Sequence, residues 1–493
     1  MEQTLKQVVL DASEAYSAGR SEQASRLCEE GLGRAPSSAP LLHLKGLLCY
    51  QAENYAGATH WIERAIAHEG SVADYHNSLG VVLKAQDKTE QAVVAYREAI
   101  GLRPNFAEAF NNLGDALTVQ GGLREAEGHY RRAIAFHRGY TDAIYNLGNT
   151  LKEQGRLKEA VAEFDRCLAL DGEHPGAHWN RSLTLLLMGE YELGWPGYEW
   201  RFVQPGFPGR REGLSAPLWE GQSLLGKRLL VCHEQGLGDV FHYLRFRPRL
   251  LEQAAEVILE VPERLRSQVQ TLDARVRVEA PEMGREGIDY QVPLMSLPLW
   301  LGVRGEDIRM EQPYLSVLPD ARARVEALLG GTLESGKPRV GIHWQGDPGF
   351  RGDQHRSIPL HYWRPLWEVE GVQWISLQKG KGREQLEGLS QVLDAGALLD
   401  EGSDAFVETA ALLERLDWVI TTDTALAHLA GALGKETWLL LGVHPDWRWG
   451  LKGERCPWYP SLRLFRQTER LDWGTLMERV VCVLRERVSD ELS

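Results

Sequence analysis

The chain has 493 residues, 43% hydrophobic and 25% charged; that length holds roughly two to four domains, and that balance excludes disordered, collagenous and fibrous architectures. Lys and Arg total 55 against 69 Asp and Glu, a formal charge of −14, which argues against a dedicated nucleic-acid binder because such a surface needs cations to displace condensed counterions. Six scattered cysteines without a CxxC pair point to a reducing compartment, and no stretch approaches 18 consecutive apolar residues or forms a signal-peptide core at Met1 to Tyr16, so the expected location is cytoplasmic with no membrane span.

The first two hundred residues are periodic. Ala12, Gly46, Gly80, Gly114 and Gly148 advance by 34, as do Ala24, Ala58, Ala92, Ala126 and Ala160. Cys28, Ile62, Tyr96, Tyr130 and Phe164 keep the same step, and Pro36 and Pro104 share one phase. This period and this small/small/aromatic placement resemble the tetratricopeptide repeat, two antiparallel helices per unit. Small residues let neighbouring helices approach, and the aromatic fills the gap beside them. A degenerate sixth unit, Gly176 to Phe202, keeps Tyr198 in phase but has Ser182 where the glycine belongs. An α-solenoid over residues 1–204 follows, with a concave face suited to a protein or peptide partner; packing on a neighbouring domain is the plainer alternative.

From Gln204 to Gly226 the chain carries Pro205, Pro208 and Pro217 with five glycines and no apolar period, which reads as a linker. Beyond it, Arg228 to His233, Glu256 to Val261 and Arg275 to Glu279 read as strands, alternating with helices over Val240 to Ala255 and Arg264 to Leu272. A second alternation starts with strands at Arg339 to Trp344, Val372 to Leu377, Trp418 to Thr421 and Thr437 to Leu441, and ends in a helix over Leu476 to Arg487. Two α/β domains with parallel sheets are expected, over 205–325 and 326–493, with a hinge in Leu318 to Pro338.

Several motifs fail on inspection. Gly221 to Lys227 nearly spells a phosphate-binding Walker loop, but Arg228 stands where magnesium needs a hydroxyl and a strand follows instead of a helix. Leu237 replaces the second His of a zincin pattern begun by His233 and Glu234, Phe241 replaces the third dinucleotide glycine after Gly236 and Gly238, and no Asp-x-Asp metal clamp occurs. No metal and no resident cofactor are expected.

The candidate chemistry sits at strand ends, where parallel α/β sheets place their ligands. The first strand runs into Gln235-Gly236-Leu237-Gly238-Asp239 and then a helix; the glycines permit a sharp turn, and the helix start favours anions. Asp239 reads either as that helix's N-cap or as a general base for an attacking hydroxyl. Later, an apolar strand delivers Thr422, Asp423 and Thr424 to a helix bearing His428. Backbone N–H groups and the Thr424 hydroxyl can hold phosphate, Asp423 can accept from sugar hydroxyls, and His428 is either a ligand contact or a packed polar residue. Gln345-Gly346 and Gln378-Lys379 end two further strands at the same edge, and Arg356 offers a bidentate donor for a diphosphate. The loop His444-Pro-Asp446-Trp447-Arg448-Trp449 can cover a base or diphosphate, or can be a surface aromatic cluster.

The Gly-Leu-Gly-Asp239 turn and the Thr-Asp423-Thr424-Ala-Leu-Ala-His428 junction, in this order and about 185 residues apart, resemble those of glycosyltransferase family 9, the heptosyltransferases, in the variant with an N-terminal tetratricopeptide array. The likeness covers 226–485. It implies the GT-B architecture of two Rossmann-like domains, acceptor on the first and nucleotide-sugar on the second. It places the catalytic base on Asp239, donor contacts on Asp423, Thr424 and His428, and the family's basic residue before a Pro and a Trp on Arg356, ahead of Pro359 and Trp363. Departures are Arg356 where Lys is common, Ala425 where Gly is common, and a longer Gln345 to Ser357 loop; all lie where the donor's sugar and phosphates would be read.

The expected activity is inverting, metal-independent sugar transfer from a nucleoside-diphosphate sugar to a protein or glycan acceptor presented by the repeats, with Arg356 and Lys379 stabilising the leaving diphosphate. The alternatives are protein O-linked N-acetylglucosamine transfer, a non-catalytic scaffold with a decayed transferase half, and a nucleotide-sugar epimerase, disfavoured because the sequence offers no paired acid and base of the kind it requires.

Overall fold

The computed structural model describes residues 4–204, 207, 216–270, 273, 275–281, 286–308, 313–350 and 352–492. Part of the expected linker, with Pro205, Pro208 and the domain boundary at 205, lies outside the described residues, as does Leu272. By internal contact the chain divides into Met1–Arg181 and Ser182–Ser493.

The first unit is the expected helical array. Helices Leu5–Ser17, Ala39–Gln51, Ala73–Ala85, Ala107–Val119 and Thr141–Glu153 alternate with Ser21–Arg34, Tyr55–His68, Thr89–Leu102, Leu123–Phe136 and Leu157–Leu170. The 34-residue series are explained atom by atom. A Cβ on Gly80, Gly114 or Gly148 would lie 2.4, 2.8 or 2.6 Å from the ring of Tyr96, Tyr130 or Phe164, and one on Gly46 would lie 2.5 Å from Ile62. The glycines make room for the aromatics of the partner helix, and those rings are buried. A further series went unread in the sequence: Gly19, Glu53, Asp87, Gly121 and Gly155 all hold positive φ at the turn inside each pair. Glycine adopts that conformation freely, but Glu and Asp do so only with strain. Successive units are joined by side-chain amides, Asn112 to Asn77 at 3.0 Å and Asn146 to Asn111 at 3.1 Å.

The second unit holds two parallel sheets. The first is built from β1 (Arg228–Cys232), β2 (Glu256–Glu260), β3 (Val276–Glu279) and β4 (Tyr290–Pro293), in the order β3-β2-β1-β4. The second comprises β5 (Arg339–His343), β6 (Gln373–Ser376), β7 (Val392–Asp394), β8 (Trp418–Thr422), β9 (Thr437–Leu441) and β10 (Leu462–Arg466), in the order β10-β9-β8-β5-β6-β7. Every pairing is parallel. The strand order reverses between β1 and β4 in one sheet and between β5 and β8 in the other; crevices at the carboxyl ends of such switch points are where open α/β sheets bind ligands. Buried tryptophans Trp344, Trp363, Trp374, Trp418, Trp438 and Trp473 fill the core of the second sheet.

The expected helix Val240 to Ala255 is instead broken. Helix Leu237–Tyr243 passes through a tight turn, Leu244–Phe246, into Arg247–Leu251. Pro248 lies in the first turn of the last piece, where its missing N–H costs nothing, and cannot continue the helix before it. Strands β4, β7 and β10 were not read from the sequence. In the degenerate sixth unit the Ser182 hydroxyl donates to the Gly194 carbonyl at 2.8 Å.

Candidate functional site

The Asp239 turn is built as the sequence suggests, with one correction. Helix Leu237–Tyr243 is capped by Gly236, so Asp239 is its third residue and not its N-cap. Asp239 Oδ2 nevertheless reaches back to accept from the Gly236 N–H at 3.1 Å, satisfying one donor that the helix start leaves over. Asp239 Oδ1 accepts from Arg448 Nη2 at 2.6 Å. Burial raises the carboxyl's pKa, and Arg448 opposes that rise. Before this turn Gln235 holds a φ of 52°, a strained conformation for a residue with a Cβ. Gly238 is needed for contact: a Cβ there would lie 2.9 Å from His428 Cδ2 and 3.2 Å from Ala425 Cα.

At the second switch point, β8 ends in Thr422 and helix Ala425–Ala432 follows at once. Asp423 is pushed up to about 6, first by burial and then by neighbouring Asp446. Thr424 Oγ1 lies 3.4 Å from His343 Nδ1, and His343, the last residue of β5, is lowered to about 4 by burial and then by Arg356. Arg356 Nε donates to Asp353 Oδ1 at 3.1 Å, with its guanidinium 4.4 Å from the Phe350 ring centre. A Cβ on Gly346 would lie 2.9 Å from Arg356 Nη2, so glycine is what admits the guanidinium there.

Gln378 and Lys379 bond the protein's own backbone. Gln378 is 2% exposed. It accepts from the N–H groups of Trp344 and Gln345 and donates to the carbonyls of Gln345 and Lys381, stapling two strand-end loops. Lys379 Nζ donates to the carbonyls of Leu399 and Asp400. Gln345 Oε1 accepts from Gln385 Nε2 at 3.0 Å.

Sequence reasoning missed the cluster joining the two sheets' helices. The Tyr459 hydroxyl lies 2.9 Å from His428 Nδ1 and 3.1 Å from His242 Nδ1. With one hydroxyl proton it donates to one ring and accepts from the other. Burial, then nearby Arg448 and Arg245, hold His428 well below its usual pKa, so the ring is neutral. It stacks on Trp449 with centroids 5.1 Å apart. Arg245, fully buried, donates to the carbonyls of His242 and Trp458. His343 carried a signal, an ionisable residue closing an apolar run; Tyr459, in a loop without periodicity, carried none.

A cavity of about 1310 Å³ is lined by Gly236, Gly238, Asp239, Gln345, Gly346, Arg356, Gln378, Lys379, Asp423, Thr424, His428 and Arg448 together. The residues singled out in the sequence thus face one space, large by the standard of small-molecule sites. Among the described residues no group of three His, Cys, Asp or Glu side chains is placed to hold a metal ion, and no helix is long and apolar enough to cross a membrane.

A helical repeat array followed by paired parallel sheets, with one cavity reached by the switch points of both, is a GT-B-like transferase architecture. Residues 382–486 match the family model for glycosyltransferase family 9 (heptosyltransferase), and residues 83–121, 106–138 and 141–174 match models for tetratricopeptide repeats. The chain thus carries tetratricopeptide repeats and a glycosyltransferase family 9 domain. Asp423, Thr424, His428 and Arg448 lie within the transferase match; Asp239, Gln345, Gly346, Arg356, Gln378 and Lys379 lie outside it. Protein FlbA of Caulobacter vibrioides is 29% identical over 327 residues, covering 62% of this chain and 54% of that protein, so the match spans little more than half of the relative's length. Among solved structures, YrrB, a repeat protein with an unusual peptide-binding site, is 24% identical, covering 35% of this chain and 90% of its own at a TM-score of 0.31. PilF of Pseudomonas aeruginosa is 17% identical, covering 41% and 92% at 0.38.

Proposed function

We propose that this protein is an inverting, metal-independent glycosyltransferase, moving a sugar from a nucleoside-diphosphate donor to a hydroxyl of a protein or glycan acceptor. The observation that carries the reading is the single cavity lined by both the Asp239 turn and the Asp423–His428 junction. Asp239 takes the acceptor's hydroxyl proton as that oxygen bonds the anomeric carbon; the bond from that carbon to the diphosphate breaks, and its electrons leave with the phosphate oxygen. The N–H groups at the start of helix Ala425–Ala432, with Arg356 and Arg448, stabilise the departing charge. Asp423 accepts from donor sugar hydroxyls. Lys379, tied to its own backbone carbonyls, supports the loop that faces the phosphates. The repeats present the acceptor, and their close-packed helix pairs offer a rigid surface for a peptide.

The test is turnover with radiolabelled UDP-, GDP- and ADP-sugars. Asp239→Asn is expected to lower the transfer rate by about 10²- to 10⁴-fold, the range for loss of a general base, while donor binding survives. Undiminished transfer by that variant would remove Asp239 from the mechanism. Transfer is expected to persist with a chelator present, and its abolition would reject metal independence.

A further inference from the structure

Arg448 lies on the short turn Trp447–Trp449, and its guanidinium serves two carboxylates. Nη2 bonds Asp239 Oδ1 at 2.6 Å, reaching the helix after β1, and Nη1 bonds Asp446 Oδ1 at 2.9 Å on its own turn. The side chain is 8% exposed. Its guanidinium carbon lies 4.7 Å from the Trp447 ring centre and 5.8 Å from that of Tyr243, and Nε is buried without a hydrogen-bond partner among the described residues. The same residue lines the cavity beside Asp423 and Thr424. A guanidinium fork fits the paired oxygens of a carboxylate and of a phosphate alike. A diphosphate reaching this wall therefore meets a cation already engaged by Asp239.

We propose that Arg448 is a positioning residue for which Asp239 and the donor's diphosphate compete, so that donor binding draws the guanidinium from the carboxylate and leaves Asp239 the stronger base. The inference rests on the nucleotide-sugar reading above. A carboxylate paired with a cation holds a proton weakly; one that has lost the cation holds it more firmly and accepts it more readily from a hydroxyl. Proton abstraction is thereby linked to an occupied donor site. The linkage is reciprocal: if the diphosphate loosens the Arg448–Asp239 pair, Asp239 must weaken diphosphate binding to the same extent.

That reciprocity gives an equilibrium test independent of turnover. UDP, GDP and ADP are titrated calorimetrically into the full chain, into Asp239→Asn, Asp446→Asn and Arg448→Gln, and into Asp239→Asn combined with Arg448→Gln. Removing the Asp239 charge is expected to tighten the retained diphosphate about tenfold, the scale of one charge-assisted hydrogen bond. Asp446→Asn is expected to act in the same direction, Arg448→Gln to weaken binding, and the gain from Asp239→Asn to vanish beside Arg448→Gln. Equal or weaker binding by a folded Asp239→Asn overturns the proposal; should that variant fail to fold, the result for Asp446→Asn decides in the same way. If the unaltered chain retains none of the three diphosphates, the donor reading falls and this inference with it. If it retains one and no gain appears, the inference alone falls.

Discussion

At the scale of single residues, the site turns on carboxylates held in unusual states. Asp239 was legible in the sequence because an acid follows a glycine turn at a strand's end, yet its cap and base readings could not be separated there. The structure shows that the side chain has an oxygen for each neighbour, Oδ2 on the Gly236 N–H and Oδ1 on Arg448. Asp423 offers a pH test. Its pKa is raised from 3.8 to about 6, by burial and then by Asp446. If it accepts from donor hydroxyls as proposed, donor affinity is expected to fall as pH drops from 7.5 through 6, and Asp423→Asn is expected to flatten that limb in a binding titration. An unaltered limb in the variant would assign the titration elsewhere. The sign for stability is opposite. A raised folded pKa lets the native state bind the proton more firmly than the unfolded chain, so this contribution is present at low pH and is lost as pH rises through about 6. Tyr459 and His242, which complete the buried network around His428, were illegible because their meeting depends on tertiary structure alone.

At the scale of elements, the repeats were the most legible part of the chain, since one helix pair's needs recur five times in phase. Small residues and aromatics alternate because each ring occupies the space that a Cβ would take. Gly148→Ala puts a methyl 2.6 Å from Phe164 Cε1. Overpacking of this kind costs about 1–3 kcal/mol, against a gain of about 1 from better helix propensity. Net destabilisation of up to about 2 kcal/mol is expected in chemical denaturation; a stabilised variant would show that the ring moves aside freely. The α/β elements were less legible. Strand β7 has three residues, too few to show a period, and β10 reads Leu-Arg-Leu-Phe-Arg, whose adjacent Leu464 and Phe465 break the alternation that marks a strand. The broken helix after Asp239 was missed because its apolar spacing continues across Pro248.

At the scale of the whole molecule, the second unit is more than two sheets. The segment after the last repeat is anchored by Arg201, fully buried, whose guanidinium bonds Glu234 at 3.1 and 3.0 Å, Glu199 at 2.6 Å and Ser296 at 2.7 Å. Burial raises the pKa of Glu234, while Arg201 opposes the rise. Deleting one partner of such a buried pair leaves the other charge uncompensated, so Arg201→Met is expected to cost about 3–5 kcal/mol by urea denaturation. A second change, Glu234→Gln, is expected to restore part of that loss. A cost below about 1 kcal/mol, the range of a surface pair, would mean that water reaches Glu234. No sequence pattern announces this anchor, because Glu234 and Ser296 lie 33 and 95 residues from Arg201.

The contact at Gly238 sets a mechanical limit on the same unit. Two short helices, one following each sheet's switch strand, meet there, with the Gly238 backbone against the His428 ring and the Ala425 backbone. A side chain at position 238 would wedge the two helices apart, as a page folded into the spine of a book keeps its covers from closing. If the two sheets move to admit the proposed donor, this close contact is expected to serve as the pivot, with Asp239 one residue from it.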